Sequence, residues 1–429
     1  MSTEIISRDK DVITIQVKIN LAGSMLDAEE TVQDAVNSLG KSATAEKLQS
    51  FDTDGSPIVL GTEKYTARSK DNKKYQTPYG EVNIERYVYQ SSKGGKIYCP
   101  LESAARIIET ATPKFSKIIS NKYARMSAGE SVEDMEENHG RKIAQSFVQN
   151  ISDAVGSIAI AKEEKWSYEI PDIKAAIKTI SISLDGANIL MRKEGYRVAM
   201  VGAISLYDRK GDRQHSIYIA SDPEYGKATF TKKLEDEIAR IKLIYPKALY
   251  VGIADGAKDN WTFLKKHTDN QILDFYHASE YLADAASGIY NKKSQAEEKE
   301  IWLEQACHSL KHKLGSASRL LSELISTLAL KIPKHHKEKI QAAVTYFTNN
   351  KHMMQYHKHV KENLPIGSGV TEAACKSIIK ERLCGSGMQW KKRGARIVLS
   401  LRPLVKTKKR WGQFWDKISQ FGVPHLSAV

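Results

Sequence analysis

The chain has 429 residues, 41% of them hydrophobic, with a mean hydropathy of −0.44 and a net charge of +14. That length leaves room for two or three domains, and the composition excludes a disordered or fibrous chain. No apolar run approaches the roughly 18 residues of a membrane-spanning helix, the start MSTEIISRDKDVITI carries no signal-peptide core, and Cys99, Cys307, Cys375 and Cys384 form no C-x-x-C pair. Neither a zinc ribbon nor a disulfide framework is expected, and a reducing cytoplasm without membrane association fits.

Residues 1–100 read as an α/β region. A β-prone stretch, DVITIQVKI, precedes a helix predicted from Ser24 to Leu39. FDTDGSPIVLGTEKYTA follows as turn and strand, and then a hairpin within Lys74–Pro100 that turns at SSKGGK. Residues 101–170 become helical in pattern. Ser131 and Asp134 look like a capping box opening a short helix, Gly140 can serve a tight turn, and Arg141–Val155 reads as a second helix. This is the helix-turn-helix outline, and it would present Arg141, Lys142, Gln145, Ser146, Gln149 and Asn150 to a DNA groove. An ordinary pair of antiparallel helices has the same outline, and spacing alone does not separate the two.

From 175 to 277 the elements run strand (TISISLDG), strand (YRVAMVGAISLYD), strand (QHSIYIASD), helix (Lys227–Ile244), strand (ALYVGIAD), helix (AKDNWTFLKKH), strand (QILDFYH). A βββαβαβ order predicts a mixed sheet, with right-handed crossovers where strands run parallel. Asp185 falls late in the first strand and Asp255 at the end of the fourth. Residues 278–362 form an all-α insertion, whose histidines are taken as solvated or packing residues. Beyond it comes NLPIGSGVTEAACK with Glu372, at the start of the second part of the core, 363–400. Either Asp-Gly pair alone is most simply a strand-ending turn. Three carboxylates on rigid elements, however, offer the hard oxygen ligands that a divalent cation takes. Two such ions can activate a water or a 3′-hydroxyl and stabilise the leaving oxygen of a phosphodiester. Asn188 and Asp259 stand next as supports for those ligands.

The excess positive charge gathers near the end. From Lys376 to Lys417 thirteen Lys or Arg face only Glu381 and Asp416. A basic segment beside carboxylates suggests a polyanionic substrate, with Lys391, Lys392, Arg393 and Arg396 on its phosphates. Trp390, Trp411, Phe414 and Trp415 argue against a disordered tail, so 401–429 is read as a basic, aromatic C-terminal segment.

The strand order and the placement of the acids resemble the ribonuclease H-like fold. The segments SLDGAN, YVGIADGAKDNWTFL, ILDFYHASEYLA, NLPIGSGVTEAACKSIIKERLCGSGMQWKKRGA and RWGQFWDKI, in this order, resemble bacterial insertion-sequence DDE transposases of the ISKra type, relatives of the Mutator-like transposases. The resemblance runs from Ser181 to Phe421 and more loosely over the first 165 residues. It implies a multidomain α+β and α/β protein, with a ribonuclease H-like mixed-sheet catalytic core interrupted by the all-α insertion. A β-containing N-terminal region and a helix-turn-helix-like DNA-binding region would precede that core. It also implies an Asp185, Asp255, Glu372 triad holding two Mg2+ (or Mn2+) ions, and an acid-x-x-His signature at Asp274 and His277, with His277 positioning a phosphate or leaving group. The expected activity is cleavage at transposon ends, followed by joining of the 3′-hydroxyl to target DNA. The protein would act as a homodimer or higher oligomer on double-stranded DNA, associated with the bacterial nucleoid. A nuclease of the same fold without strand transfer is the alternative, as is a DNA-binding protein that has lost catalysis.

Overall fold

The computed structural model describes residues 2–95 and 97–422. The described residues divide into two compact units: those up to Glu169 with 400–405 and 410–422, and residues 170–399 with 406–409.

In the first unit, β1 (Ser2–Asp9) and β2 (Val12–Lys18) pair as an antiparallel hairpin. Helix α1 (Met25–Gln49) opens on a capping box between Ser24 and Asp27 and continues ten residues past the predicted end. Gly40 does not stop it but lets Tyr79 approach, since a Cβ there would lie 2.3 Å from the ring. Strands β3 (Ile58–Leu60), β4 (Glu63–Thr77) and β5 (Gly80–Ser91) form an antiparallel sheet. Its long hairpin turns at Thr77–Gly80 rather than at SSKGGK, which follows β5. The Thr77 hydroxyl accepts the Tyr79 and Gly80 amides, each at 3.1 Å, so one hydroxyl organises the turn expected of the glycine pair.

Helices α2 (Pro100–Ala104), α3 (Pro113–Arg125), α4 (Ala128–His139) and α5 (Gln145–Lys162) complete this stretch. The capping box of α4 uses Ser127 and Glu130, one turn before the predicted pair, and Gly140 ends the helix in the left-handed region at φ 58°. Residues 141–144 then lie outside any helix, so α5 starts at Gln145 and not at Arg141.

The second unit is built on a five-stranded mixed sheet. Strands β6 (Ile177–Met191), β7 (Gly195–Asp208) and β8 (Arg213–Ser221) are successive antiparallel neighbours. After α6 (Ala228–Ile244), β9 (Leu249–Ala254) joins β6 in parallel; after α7 (Lys258–His267), β10 (Asn270–Leu273) joins β9 in parallel. The spatial order is β10-β9-β6-β7-β8. Phe230, Leu234, Ile238 and Ile241 of α6 are buried, the face that helical spacing predicts.

Two strand ends differ from expectation. β6 does not stop at Asp185 but pairs with β7 as far as Met191. The last strand stops at Leu273, because Asp274 caps helix α8 (Phe275–Ile289). Helices α9 (Ala296–His312), α10 (Ser316–Leu328), α11 (Lys334–Asn350) and α12 (Tyr356–Lys361) follow, as the helical pattern predicts. One apolar cluster runs from Ile182, Ile204 and Ile253 of the sheet through Leu282 of α8 to Ile340 and Phe347 of α11. The helical insertion therefore shares the core of the sheet.

The chain returns through α13 (Gly369–Ala374), a π-helical turn (Cys375–Lys380) and α14 (Glu381–Leu383), then α15 (Lys392–Lys406) and α16 (Arg410–Phe421). The described part of the C-terminal segment is not a separate piece. Residues 400–405 and α16 belong to the first unit, where Phe414, Trp415 and Ile418 are buried. Trp166 and Phe414 pack edge to face with ring centroids 5.7 Å apart, and Glu169 and Gln413 exchange two hydrogen bonds. Residues 423–429 lie outside the described residues. No described helix is long and apolar enough to cross a membrane.

Candidate functional site: an acidic sheet edge

Parallel pairing of β6 with β9 ends at Ser183 and Ile253. Two residues beyond this last pair, Asp185 follows on β6 and Asp255 lies just past the end of β9. Because β9 ends there while β6 continues, a cavity of about 440 Å³ opens beside β6. Asp185, Asp255, Asp259 and Lys258 line it. Asp185 Oδ1 accepts the Gly186 amide at 2.7 Å, and its Oδ2 accepts the Cys375 thiol at 3.3 Å. Asp255 Oδ1 accepts the Ala257 amide at 3.1 Å, while its carbonyl accepts the Tyr346 hydroxyl at 2.8 Å. Burial raises the Tyr346 phenol well above its ordinary value, and the charge of Asp255 adds to that, so the hydroxyl remains a donor. Gly186 is required by packing rather than by a turn: a Cβ would lie 2.4 Å from Val198 Cγ1.

Glu372 arrives from the far side of the insertion through a clamped loop. Asp274, fully buried, accepts the Tyr276 amide at 2.7 Å as the cap of α8. It also accepts the Ser368 amide at 3.0 Å and the Ser368 hydroxyl. The Phe275 amide closes the clamp on the Ile366 carbonyl at 2.9 Å. Gly367 lies under Tyr276, where a Cβ would come within 2.9 Å of the ring. A bond between the Thr371 and Ser183 hydroxyls fastens the helix of Glu372 to β6, and the π turn begins where Cys375 reaches Asp185.

Among the described residues, one set of three potential ligands has its donor atoms all within 4.8 Å of one another: Asp274, His277 and Glu372. Asp185, Asp255 and Glu372 do not meet that closeness, so Glu372 groups with the acid-x-x-His pair. The family resemblance marks Asp274 only as the partner of His277. Its burial and its grip on Ser368 make it the organiser of this side of the site. His277 sits in the first turn of α8 instead of at a strand end, with Nδ1 3.0 Å from Glu280. Burial opposes its protonation, but Asp274, Glu280 and Asp255 outweigh burial and raise its pKa. Burial and then the charge of Asp274 raise that of Glu372. Burial pushes the Cys375 thiol up as well, which keeps it a neutral donor to Asp185.

The residues expected on DNA divide. Gln145, Ser146, Gln149 and Asn150 are exposed along one side of α5, opposite its buried Val148, Ile151 and Val155. Lys142 is exposed and pairs with Glu136 at 3.1 Å. Arg141 is not available. It is buried over Phe115 at 5.3 Å and donates to Gln76 at 2.8 Å, and burial lowers its pKa. Lys391, Lys392 and Arg393 are exposed where α15 begins, whereas Arg396 binds the buried Asp222 at 3.2 Å. Of the thirteen cations between 376 and 417, Arg382, Arg402 and Arg410 are buried. Arg382 lies over Trp390 and Arg410 over Tyr168, and Arg402 donates to the Ala124 carbonyl. Planar guanidinium groups tolerate such burial against rings and carbonyls better than ammonium groups do.

Fold and site together define a mixed α and β protein with a carboxylate-rich edge on its five-stranded sheet. No protein-family model matches the chain. It is similar to UPF0236 proteins of Caldanaerobacter subterraneus subsp. tengcongensis, which are distant homologues. One, named after eleven loci, is 22% identical over 401 residues, covering 89% of this chain and 79% of that one. Another, named after four loci, is 20% identical over 400 residues with the same coverage. A third, named after two loci, is 20% identical and covers 89% of this chain and 75% of its own.

Proposed function

We propose that the protein is a DNA transposase of the DDE type with a ribonuclease H-like core. The observation that carries this reading is the shared cavity of Asp185 and Asp255 at the sheet edge, with the helix of Glu372 bonded to β6 through Thr371 and Cys375. The strand order β10-β9-β6-β7-β8, three strands antiparallel and two added in parallel, supports it. So does a distant relative named after eleven loci of one organism, since a coding sequence repeated in one genome is what a mobile element leaves behind.

Two divalent cations, Mg2+ or Mn2+, fit the donors. Asp185 and Asp255 are hard oxygen ligands on rigid backbone, and each keeps lone pairs beyond the bonds described. When bound, such ions supply an activated water or 3′-hydroxyl and stabilise the leaving oxygen of a phosphodiester. Asp185 and Asp255 would hold them from the sheet, with Cys375 keeping the Asp185 carboxylate oriented. Glu372, which groups with Asp274 and His277, would complete the ligand set from its helix. Asp274 accepts three bonds, from the Tyr276 amide and from the Ser368 amide and hydroxyl, and so anchors the loop. It sets the positions of Glu372 and His277, and His277 positions a phosphate or leaving group. Gln145, Ser146, Gln149 and Asn150 face base edges of a transposon end, while Lys391, Lys392 and Arg393 face phosphates. The working form is a homodimer or higher oligomer on duplex DNA.

The test incubates the full chain with duplexes carrying its own flanking ends and Mg2+, then sizes the products and maps their termini. Metal-dependent cuts exposing a 3′-hydroxyl, followed by joined products, are expected. Asp185→Asn, Asp255→Asn and Glu372→Gln should each abolish cutting and leave end binding intact. Cutting without joining would make the protein a nuclease, binding without cutting a DNA-binding protein, and cutting by Asp185→Asn would overturn the site.

A further inference from the structure

A second cavity, of about 1100 Å³, adjoins the acidic one and shares Asp255, Ala257 and Lys258 with it. One wall is α7, with Thr262 and Lys265; the other is α11, with Gln341, Thr345 and Asn349. The rim is therefore amide, hydroxyl and ammonium, and the floor is aromatic. Tyr346 stacks on Tyr281 with ring centroids 3.9 Å apart. Trp261, only 6% exposed, lines the cavity, and its Nε1–H has no hydrogen-bond partner. The volume also exceeds the roughly 300–1000 Å³ of an ordinary small-molecule pocket.

We propose that this groove receives an unpaired stretch of DNA strand leading away from the phosphate held at the acids. The inference rests on the transposase reading and extends it. Lys258 and Lys265 meet the backbone, the aromatic floor meets a base, and Gln341 and Asn349 carry the paired donor and acceptor that base edges match. Occupancy is reported to the acids directly, since Tyr346 on the floor holds the Asp255 carbonyl and Gly256 packs against its ring. Unpaired strand in the groove would thus steady the loop that carries Asp255.

The experiment measures binding of the full chain to a fluorescent end duplex, either blunt or extended by a short single-stranded flank carrying 2-aminopurine. Ca2+ replaces Mg2+ so that the DNA stays whole. The flanked duplex should bind at least about fivefold more tightly, the least a stacked base contributes, with 2-aminopurine quenched. Gln341→Ala with Asn349→Ala, and separately Lys265→Ala, should bring the flanked duplex down to blunt affinity. All three side chains are exposed, so the fold should tolerate their loss. Equal wild-type affinity for both duplexes would overturn the groove while leaving the transposase reading standing. So would a preference that survives both variants. Failure to bind either duplex would overturn both.

Discussion

Replacing Asp274 with alanine removes the one carboxylate that caps α8 and also anchors the loop before Glu372. Loss of the cap costs about 1 kcal/mol. Leaving the buried Ser368 amide without an acceptor costs about 1–3 kcal/mol more, so local stability should fall by about 2–4 kcal/mol. That corresponds to a roughly 30- to 900-fold increase in the rate at which the loop opens for hydrogen exchange, if opening is governed by local free energy. The assay is hydrogen exchange followed by mass spectrometry on the full chain, comparing peptides across 364–374 and 272–278 with peptides from the first unit. Ser368→Ala leaves the cap and the Ser368 amide bond in place, so its effect should be much smaller. Exchange across 364–374 within about threefold of wild type in Asp274→Ala, well below the 2 kcal/mol floor, would refute the clamp.

Glu102 in the first unit accepts from Tyr75 at 2.6 Å and Lys73 at 2.8 Å, with Arg86 at 3.4 Å. Burial pushes its carboxyl up, but the bonds from Lys73 and Tyr75 and the charges of Lys73 and Arg86 outweigh burial and hold it low. A depressed carboxylate stabilises the fold above its unfolded pKa of about 4.3 and loses that contribution as pH falls through the folded value. Glu102→Gln should therefore melt earlier at neutral pH, with the gap closing in acid; a gap constant with pH would contradict the assignment. Neutralising Lys391, Lys392 and Arg393 should lower the salt slope of DNA affinity by up to about 0.9 for each phosphate that is no longer neutralised, equally on specific and scrambled duplexes. Changes at Gln145 or Asn150 should instead erode preference between those duplexes, and an unchanged slope in the cation variant would mean a solvated face.

The sheet was legible because its signals are local. Apolar runs between turn residues mark β6 to β9, and the spacing of Phe230, Leu234, Ile238 and Ile241 marks α6. What sequence missed depends on partners distant in the chain. Asp185 looks like a strand end because a glycine follows, yet that glycine is there to admit Val198 from β7. QILDFYH looks extended throughout, but Asp274 turns the chain by capping a helix and binding Ser368, ninety-four residues on. Arg141 looks like a groove-facing cation until Phe115 and Gln76 are found around it. That Asp185 and Asp255 come to one edge of the sheet was readable from their positions near strand ends. That Glu372 groups with Asp274 and His277 was not, because only the folded loop determines which carboxylates meet.

The first unit is assembled from the two ends of the chain, and this sets an order of events during synthesis. Trp166, Tyr168 and Glu169 leave the ribosome early, but Phe414, Arg410 and Gln413, which cover and bond them, are made about 245 residues later. At typical elongation rates of about 5–20 residues per second, the N-terminal part waits roughly 12–50 s for its last helix. The unit of residues 170–399 is nearly all made within that interval and is free to fold first. Once folded, it shortens the effective loop that must close to bring α16 home, lowering the entropy lost in closure. A message truncated before Arg410 would thus yield a second unit with all of its residues and a first unit that cannot be finished.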